Sequence, residues 1–500
     1  MKLAVHGRME SNQADPAGAL FSSSRRLAVA EHLGITCDVL ESAAAPGIER
    51  LRTARGTELL WASATGNSAG NAAAPAAVRV QSTRGSIPVF ARILDDPTAE
   101  RVLAQHGGEW SRAVPLLGLD GQPAGSIWTD EEGNVLLPFD PDEVCESFWS
   151  ERYLALLHTD AARSTRRGAM QAYYRVRGLL PRPVQIWLRR VYARRQQRTE
   201  FPGWPVETAL HDFLDLLTAI LADLAGEPLP RIGTWPAGHA WALVLTHDVE
   251  TSAGVAAIDP IVELERGLGL RSSWNFVPRR YEVTDERIQE LAGAGFEVGV
   301  HGLYHDGRDL ESLARVQERL PAMRAAAERW NAVGFRSPAT HRQWDLMPLL
   351  GFDYDSSYPD TDPFEPQGGG CCTWLPFFNR EMVELPLTMA QDHTLFVILR
   401  HEDERAWVEK ADFLRGRGGM ALIDTHPDYL LEDRIVHAYA RLLERYAQDT
   451  SAWKALPHEV SAWWRRRASS RIERMGADWI VVGPAAGEAQ VELMEGTAWR

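Results

Sequence analysis

Three polar clusters in the chain each end an apolar run, and each carries groups able to hold a metal or move a proton. "ALVLTHDVE" (242–250) ends on His247, Asp248 and Glu250; "FEVGVHGLYH" (296–305) ends on His301 and His305; "MALIDTH" (420–426) ends on Thr425 and His426. Two histidines four residues apart can face one metal, on a helical turn or in a tight loop, through neutral imidazole nitrogens. With 15 histidines in 500 residues that spacing alone is a weak signal. It strengthens when a carboxylate from another strand end completes a two-histidine, one-carboxylate set that leaves a position open for water. Asp248 and Glu250 are the carboxylates on offer, and an extended strand puts both on the same side. "VGF" leads into Arg336, and "GFDY" carries Asp353 and Asp355. In isolation Arg336 reads as a surface ion pair and Asp353 as a strand-end cap; beside the histidine pair they read as parts of a site.

Residues 236–465 are the elements that must position these groups. "WALVLT", "SSWNFV", "FEVGV", "AVGF", "VELPL" and "MALIDT" are strand candidates. "DERIQELAGAG" and "DLESLARVQERLPAMRAAAERW" have helical spacing, the first opened by Thr284 and Asp285 as caps. Such alternation implies an α/β fold with a parallel sheet, open or closed into a barrel. In both forms sites assemble from the carboxyl ends of different strands, which is where the acids, imidazoles and Arg336 fall.

Elsewhere the chain is less explicit. Residues 1–140 are rich in Ala and Gly and read as a small N-terminal α/β domain, with a flexible loop at 66–77 and His6 as an ordinary polar residue. Residues 141–235 read as a helical connector with a basic run over 163–198. That run is either a solvated amphipathic face or a membrane-surface patch, with Trp187 and Tyr192 on its apolar side. Residues 466–500 read as a C-terminal β-hairpin, "DWIVVG" against "AQVELM".

The net charge of -15 argues against a general nucleic-acid binder. Four cysteines cannot form a disulfide framework and suit a reducing compartment. The first residues lack an apolar h-region and no apolar run approaches the ~20 residues of a membrane span, so the expectation is a cytoplasmic protein.

The order "THDVE", "HGLYH", "RSPA", "FDYDSS", "IDTHP" resembles the NodB-type polysaccharide deacetylase family, a carbohydrate esterase group of metal-dependent N-deacetylases. The resemblance covers under half of the chain. It implies a distorted (β/α) barrel, a divalent metal (usually zinc) and removal of an acyl group from nitrogen, typically N-acetyl on an amino sugar. The family's first motif resembles T-F-D-D-G, with the first Asp as general base and the second as metal ligand. Here Val249 stands at the second Asp, and some branches place the ligand two residues past the base, a slot that Glu250 fits. The resemblance therefore assigns Asp248 as base and Glu250, His301 and His305 as metal ligands, with Asp248 as an alternative ligand. It further implies Arg336 orienting Asp248, His426 as the acid that protonates the leaving amine, and Asp355 (or Asp353) orienting His426.

His247 takes the place of an aromatic residue and reads as a hydrogen-bonding neighbour of the site. Asp392 and His393 in "QDHTLF" either reach substrate or stabilise a loop. Cys371 and Cys372 in "GGGCC" read as two free thiols in a flexible loop, a possible lid. The expected partner is an N-acylated sugar or glycan precursor. The alternatives are a hydrolase of a non-sugar amide or cyclic imide, and a non-catalytic carbohydrate-binding or scaffold protein in which Val249 marks loss of the metal.

Overall fold

The structure is a computed structural model that describes residues 20–39, 48–62, 75–157, 181–197 and 199–500. His6, most of the loop at 66–77 and residues 163–180 of the basic run lie outside them. The fold is mixed α/β. Strands Phe21–Ser23, Cys37–Val39, Ile48–Thr53, Glu58–Ala62, Pro75–Ser82, Gly85–Arg92, Trp110–Gly118, Pro123–Asp130 and Val135–Leu137 (β1 to β9) join in one sheet, ordered β2-β1-β3-β4-β9-β8-β7-β5-β6. Their side chains alternate as a half-buried sheet requires: in β5 Val78 and Val80 are buried while Arg79 is exposed.

Helix Pro141–Trp149 starts where the Asp140 side chain accepts the Asp142 N–H, with proline in the first turn. Helix Ala209–Ala225 is apolar on almost every face and correspondingly buried, and it ends at Gly226 with φ +67°. One apolar core runs from Phe21 and Trp61 through Leu214 to Trp241 and Ile423. Polar and aromatic contacts tie the helical segment to the second sheet. The Trp149 ring stacks on Phe377, centroids 5.3 Å apart. The buried Arg342 guanidinium grips Glu151 with both Nε (2.7 Å) and Nη2 (2.6 Å), and the Tyr153 hydroxyl donates to the Gly370 carbonyl oxygen at 2.8 Å.

The second sheet comprises Trp241–Val249 (β11), Ser272–Phe276 (β12), Glu297–Val300 (β13), Gly334–Phe335 (β14), Tyr354–Asp355 (β15), Phe377–Asn379 (β16), Met382–Glu384 (β17), Met420–Thr425 (β18) and Ala452–Lys454 (β19), with Leu229–Ile232 (β10) lying apart. Its order is β16-β17-β15-β14-β13-β12-β11-β18, with β19 also on β11. All neighbours are parallel except β16 and β17. Beyond β17 the Met389 N–H donates to the Leu422 carbonyl oxygen of β18 at 3.1 Å. Between the strands run helices including Asp285–Gly293, capped by the Thr284 side chain on the Arg287 N–H, and Leu313–Trp330. Every residue of β11 is buried, as in a central parallel strand covered on both faces.

Two expectations need correction. Arg471–Met475 (β20) and Asp478–Val482 (β21) form the C-terminal hairpin, turning on Gly476 at φ +66°, while Val491–Met494 (β22) pairs with β10 instead. A two-residue turn is the tighter closure, and β22 supplies the ladder partner of β10, which lies in neither large sheet. The "GGGCC" stretch is also no flexible lid. Cys371 and Cys372 are free thiols, but both are buried, their N–H groups donating to the Pro359 and Asp360 carbonyl oxygens at 2.9 Å each. The glycine is there for closeness: a Cβ on Gly370 would come within 2.2 Å of the Asp360 carbonyl oxygen. No helix among the described residues is long and apolar enough to cross a membrane.

Candidate active site

Parallel register sets the first relationship. Asp248 of β11 lies level with Asn275 of β12, so the Asn275 side-chain amide donates to Asp248 Oδ1 at 2.8 Å. Asn275 in turn lies level with Gly299 of β13, where a Cβ would fall 2.1 Å from Asn275 Oδ1. Arg336, just past β14 and 1% exposed, sends Nη1 to Asp248 Oδ1 (3.3 Å), Asp424 Oδ1 (2.7 Å) and the Thr246 hydroxyl (2.8 Å). Its Nε and Nη2 donate to the carbonyl oxygen (2.9 Å) and hydroxyl (2.8 Å) of Ser356. Burial pushes the Asp248 carboxyl up, but the neighbouring His301, Arg336 and His426 side chains and the Asn275 hydrogen bond hold it below the usual carboxylate range. Neighbouring Asp424 goes the other way, raised well above that range by burial against the pull of Arg336, with Asp248 adding to the rise.

Glu250, His301 and His305 converge at the same mouth: one ligand atom from each lies within 4.8 Å of the others. His301 follows β13 directly, its N–H still donating to the Phe276 carbonyl oxygen at 2.8 Å. Its Nδ1 stands 3.0 Å from the Arg336 carbonyl oxygen, which makes Nδ1 the donor and leaves Nε2 with a free lone pair. That Nε2 is buried and without a hydrogen-bond partner among the described residues. Burial pushes the His301 imidazole down to about 4, which keeps it neutral. His305 Nε2 lies 2.7 Å from Glu250 Oε1, though not aligned as a hydrogen bond. Burial raises the Glu250 carboxyl, but the charge of His305 beside it holds the group well below the usual range. His305 sits at φ +56°, a left-handed backbone that a non-glycine residue adopts only when its surroundings enforce it. The enforcement is visible: Asp309 accepts the Leu303 N–H (3.2 Å) and is held by Arg319 (2.7 Å).

A neutral imidazole with an idle inward nitrogen, a second imidazole and an ionised carboxylate are the donor set that a divalent metal takes. The residues fit the group. Asp248, Asp424 and His426 form a second cluster of the same kind, but Asp248 and Asp424 already share Arg336.

His426, past the end of β18, is oriented by Asp392: Nδ1 stands 2.7 Å from Asp392 Oδ1, and the His426 N–H donates to Oδ2 at 2.8 Å. Burial pushes the imidazole down, yet the charges of Asp392 and Asp424 and the Asp392 hydrogen bond raise it well above the ordinary histidine range. Its Nε2 faces Glu250 Oε1 at 3.8 Å and Asp424 Oδ2 at 4.0 Å.

Asp355 does not reach His426. Its carboxylate takes the Ser357 hydroxyl (2.7 Å) and N–H (3.0 Å) and lies against Glu384, which accepts the N–H groups of Ser357 (3.0 Å) and Tyr358 (2.9 Å). Burial pushes Asp355 up to about 6 and Glu384 well above the carboxylate range. This buried carboxyl pair braces the 356–358 turn that Arg336 leans on. Asp353 is exposed at the opposite end of β15. His247 points away from Asp248, across β11, where Nε2 meets Glu265 Oε1 and Nδ1 meets the Thr425 hydroxyl, both at 2.8 Å. His393 opens the next helical turn, its ring tilted on Tyr429.

Sequence reasoning missed Asn275, Asp424 and Glu384, and gave Asp392 no link to His426. For Asp392 and Asp424 a signal was present, since each is a carboxylate beside a strand end. Asn275 and Glu384 sit inside apolar strand runs, where only the register reveals them.

No family model and no curated protein matches the chain. Solved structures similar to it include polysaccharide deacetylases, a family 4 carbohydrate esterase, an allantoinase and a pseudoenzyme of that esterase family from Bacillus anthracis. A protein designated a polysaccharide deacetylase from Mycobacterium smegmatis is 17% identical, with 49% of this chain and 97% of that one covered and a TM-score of 0.38. One so designated from Pseudomonas aeruginosa PAO1 is 16% identical over 46% and 93%, TM-score 0.38. A family 4 carbohydrate esterase from Streptomyces lividans is 13% identical over 42% and 90%, TM-score 0.29.

Proposed function

We propose that the protein is a metal-dependent amide hydrolase that removes an N-acyl group, with N-acetyl on an amino sugar or glycan precursor as the substrate class. The observation that carries this reading is the meeting of three units at one strand mouth. They are a carboxylate locked by Asn275 and Arg336, a two-histidine, one-carboxylate donor set, and an imidazole clamped by Asp392. The order of the sequence motifs between Thr246 and His426 supports the same reading. A distorted (β/α) barrel goes with it, supported by the hydrogen bonds that link the segment after β17 to β18.

Glu250, His301 Nε2 and His305 would hold the metal, with zinc the natural choice for two imidazoles and a carboxylate. When bound, such an ion supplies Lewis acidity toward the acyl oxygen and an activated water. The chain's own residues do the rest. Asp248 stays ionised because Asn275 and Arg336 compensate its charge, and both bind Oδ1. Oδ2, which stands 3.5 Å from His301 Nδ1, is the oxygen that accepts the proton of the attacking water. Arg336 also binds Asp424, fixing the line along which Asp248 points. Asp392 and Asp424 favour the protonated form of His426, which offers Nε2–H to the departing nitrogen, since an amine leaves readily only once protonated. Asp392 holds that imidazole in place and stabilises its charge.

The test is acetate release from a panel of N-acetylated hexosamines and their oligomers, with His426→Ala as control. Release that His426→Ala abolishes without metal loss is the expected result. Turnover of simple linear amides or cyclic imides but of no sugar on the panel would overturn the substrate class, and no turnover of any amide would overturn the hydrolase.

A further inference from the structure

Next to the His426–Asp392 pair lies a small recess walled by Thr340, Asp360, Asp362, Glu365, Met389 and Gln391. It has room for a single group of about water's size. Its polar lining is one-sided. Asp360 is paired with Lys410. Asp362 and Glu365, each 5% exposed, form no ion pair among the described residues. Asp362 accepts the Phe364 N–H at 2.7 Å and Glu365 the Thr394 hydroxyl at 3.0 Å. No cation stands within ion-pair distance of these two carboxyls among the described residues: burial and the charge of Glu365 push Asp362 up to about 8 against the more distant pull of Arg189, and burial pushes Glu365 up against Arg189, His426 and Arg342. Facing them, Thr340 is 2% exposed, and its hydroxyl has no hydrogen-bond partner among the described residues. Unsatisfied polar groups buried this deeply destabilise a fold unless something meets them.

The lining therefore offers more acceptors than donors, with no cation in ion-pair contact with Asp362 or Glu365 among the described residues, around a space for one small group. A species with several donors, positive charge and the size of water fits it, and a primary ammonium carries three N–H donors. The recess also shares its wall with the proton donor, since Gln391 precedes Asp392 and Thr394 holds Glu365. We propose that this recess is a binding subsite for a primary ammonium group, held by Asp362, Glu365 and the Thr340 hydroxyl. The ammonium is either a second, free amine on the substrate, as in a partly deacetylated amino-sugar chain, or a small free amine. Only the first source rests on the hydrolase reading.

Calorimetric titration of the full chain with methylammonium chloride tests the site, with tetramethylammonium as a size control. Wild type is expected to bind methylammonium saturably and to exclude tetramethylammonium. Asp362→Asn and Glu365→Gln should weaken binding at least tenfold, and Thr340→Val should weaken it measurably. Because each carboxyl change removes an acid whose charged form burial disfavours, these variants should melt no lower than wild type, which separates lost binding from lost folding. No saturable binding to wild type, or undiminished binding in both carboxyl variants, would overturn the proposal. A second arm compares kcat/KM for N-acetylated substrates with and without a free amine. A preference of at least tenfold, lost in Asp362→Asn, assigns the ammonium to the substrate; methylammonium binding without that preference assigns it to a free amine. Failure of all hydrolysis alongside intact methylammonium binding would remove the hydrolase reading and leave the subsite standing.

Discussion

Asp392 holds His426 at two points, one carboxylate oxygen 2.7 Å from imidazole Nδ1 and the other accepting the His426 backbone N–H at 2.8 Å. The clamp fixes both the position of the ring and its charge. It also makes the pH dependence readable. Asp248 is held below the carboxylate range and must be ionised, so the acidic limb of kcat/KM falls at unusually low pH. His426 is raised and must be protonated, so the alkaline limb falls above the ordinary histidine range. Asp392→Asn removes a charge that raises His426, and the alkaline limb should move to lower pH while the acidic limb stays. An unmoved alkaline limb in a pH–rate profile would show that His426 is not the acid.

Asp248→Asn keeps the shape of the side chain and removes its ability to take a proton. Turnover should fall by ~10²–10⁴, with the bound metal retained in elemental analysis. Loss of the metal together with activity would instead make Asp248 a ligand.

Glu250→Ala addresses the carboxylate of the proposed donor set. Wild type should purify with a stoichiometric divalent metal, and the variant should lose it on dialysis, as should His301→Ala. A Glu250→Ala protein that keeps its full metal content contradicts the assignment.

Gly299→Ala adds one methyl group at a residue that is itself neither a proposed ligand nor the base. The added Cβ would fall 2.1 Å from Asn275 Oδ1, so Asn275 must shift and Asp248 loses its hydrogen bond. A misplacement of this order costs roughly 10²-fold in rate, with metal binding intact. Unaltered kcat in a folded variant would show that Asn275 does not position the base.

The groups at strand ends were legible because an apolar run that stops on Asp248 or His301 announces both the strand and its exit. Their partners were not. Asn275 and Glu384 carry no local pattern; they matter through the register of β12 with β11 and of β17 with β15. Asp355 drew attention because it stands in a conspicuous "DYDSS", yet its carboxylate is consumed by Ser357 and the neighbouring Glu384. The tail shows the same limit, since "AQVELM" looked locally paired and found β10 from far along the chain. "GGGCC" misled through composition: glycine signals mobility in solvent, but here it admits the backbone of Asp360 into a packed wall.

The Glu151–Arg342 pair carries a last expectation. Both groups are buried, and breaking such a pair by Glu151→Ala should cost about 3–5 kcal/mol, read as a lowered denaturation midpoint; an unchanged midpoint would show the contact to be energetically idle.

The same pair bears on heredity as much as on stability. Arg342 lies in the polypeptide's second sheet domain and its counter-ion is supplied by the helical segment before it, as is the Trp149 ring that covers Phe377. A gene fusion or recombination event that moved residues 236–465 into another context would transplant Arg342 without its counter-ion and Phe377 without one of its stacking partners. Residues 236–465 are therefore not expected to be a portable cassette, and their lineage should carry the preceding helices with them as one inherited unit.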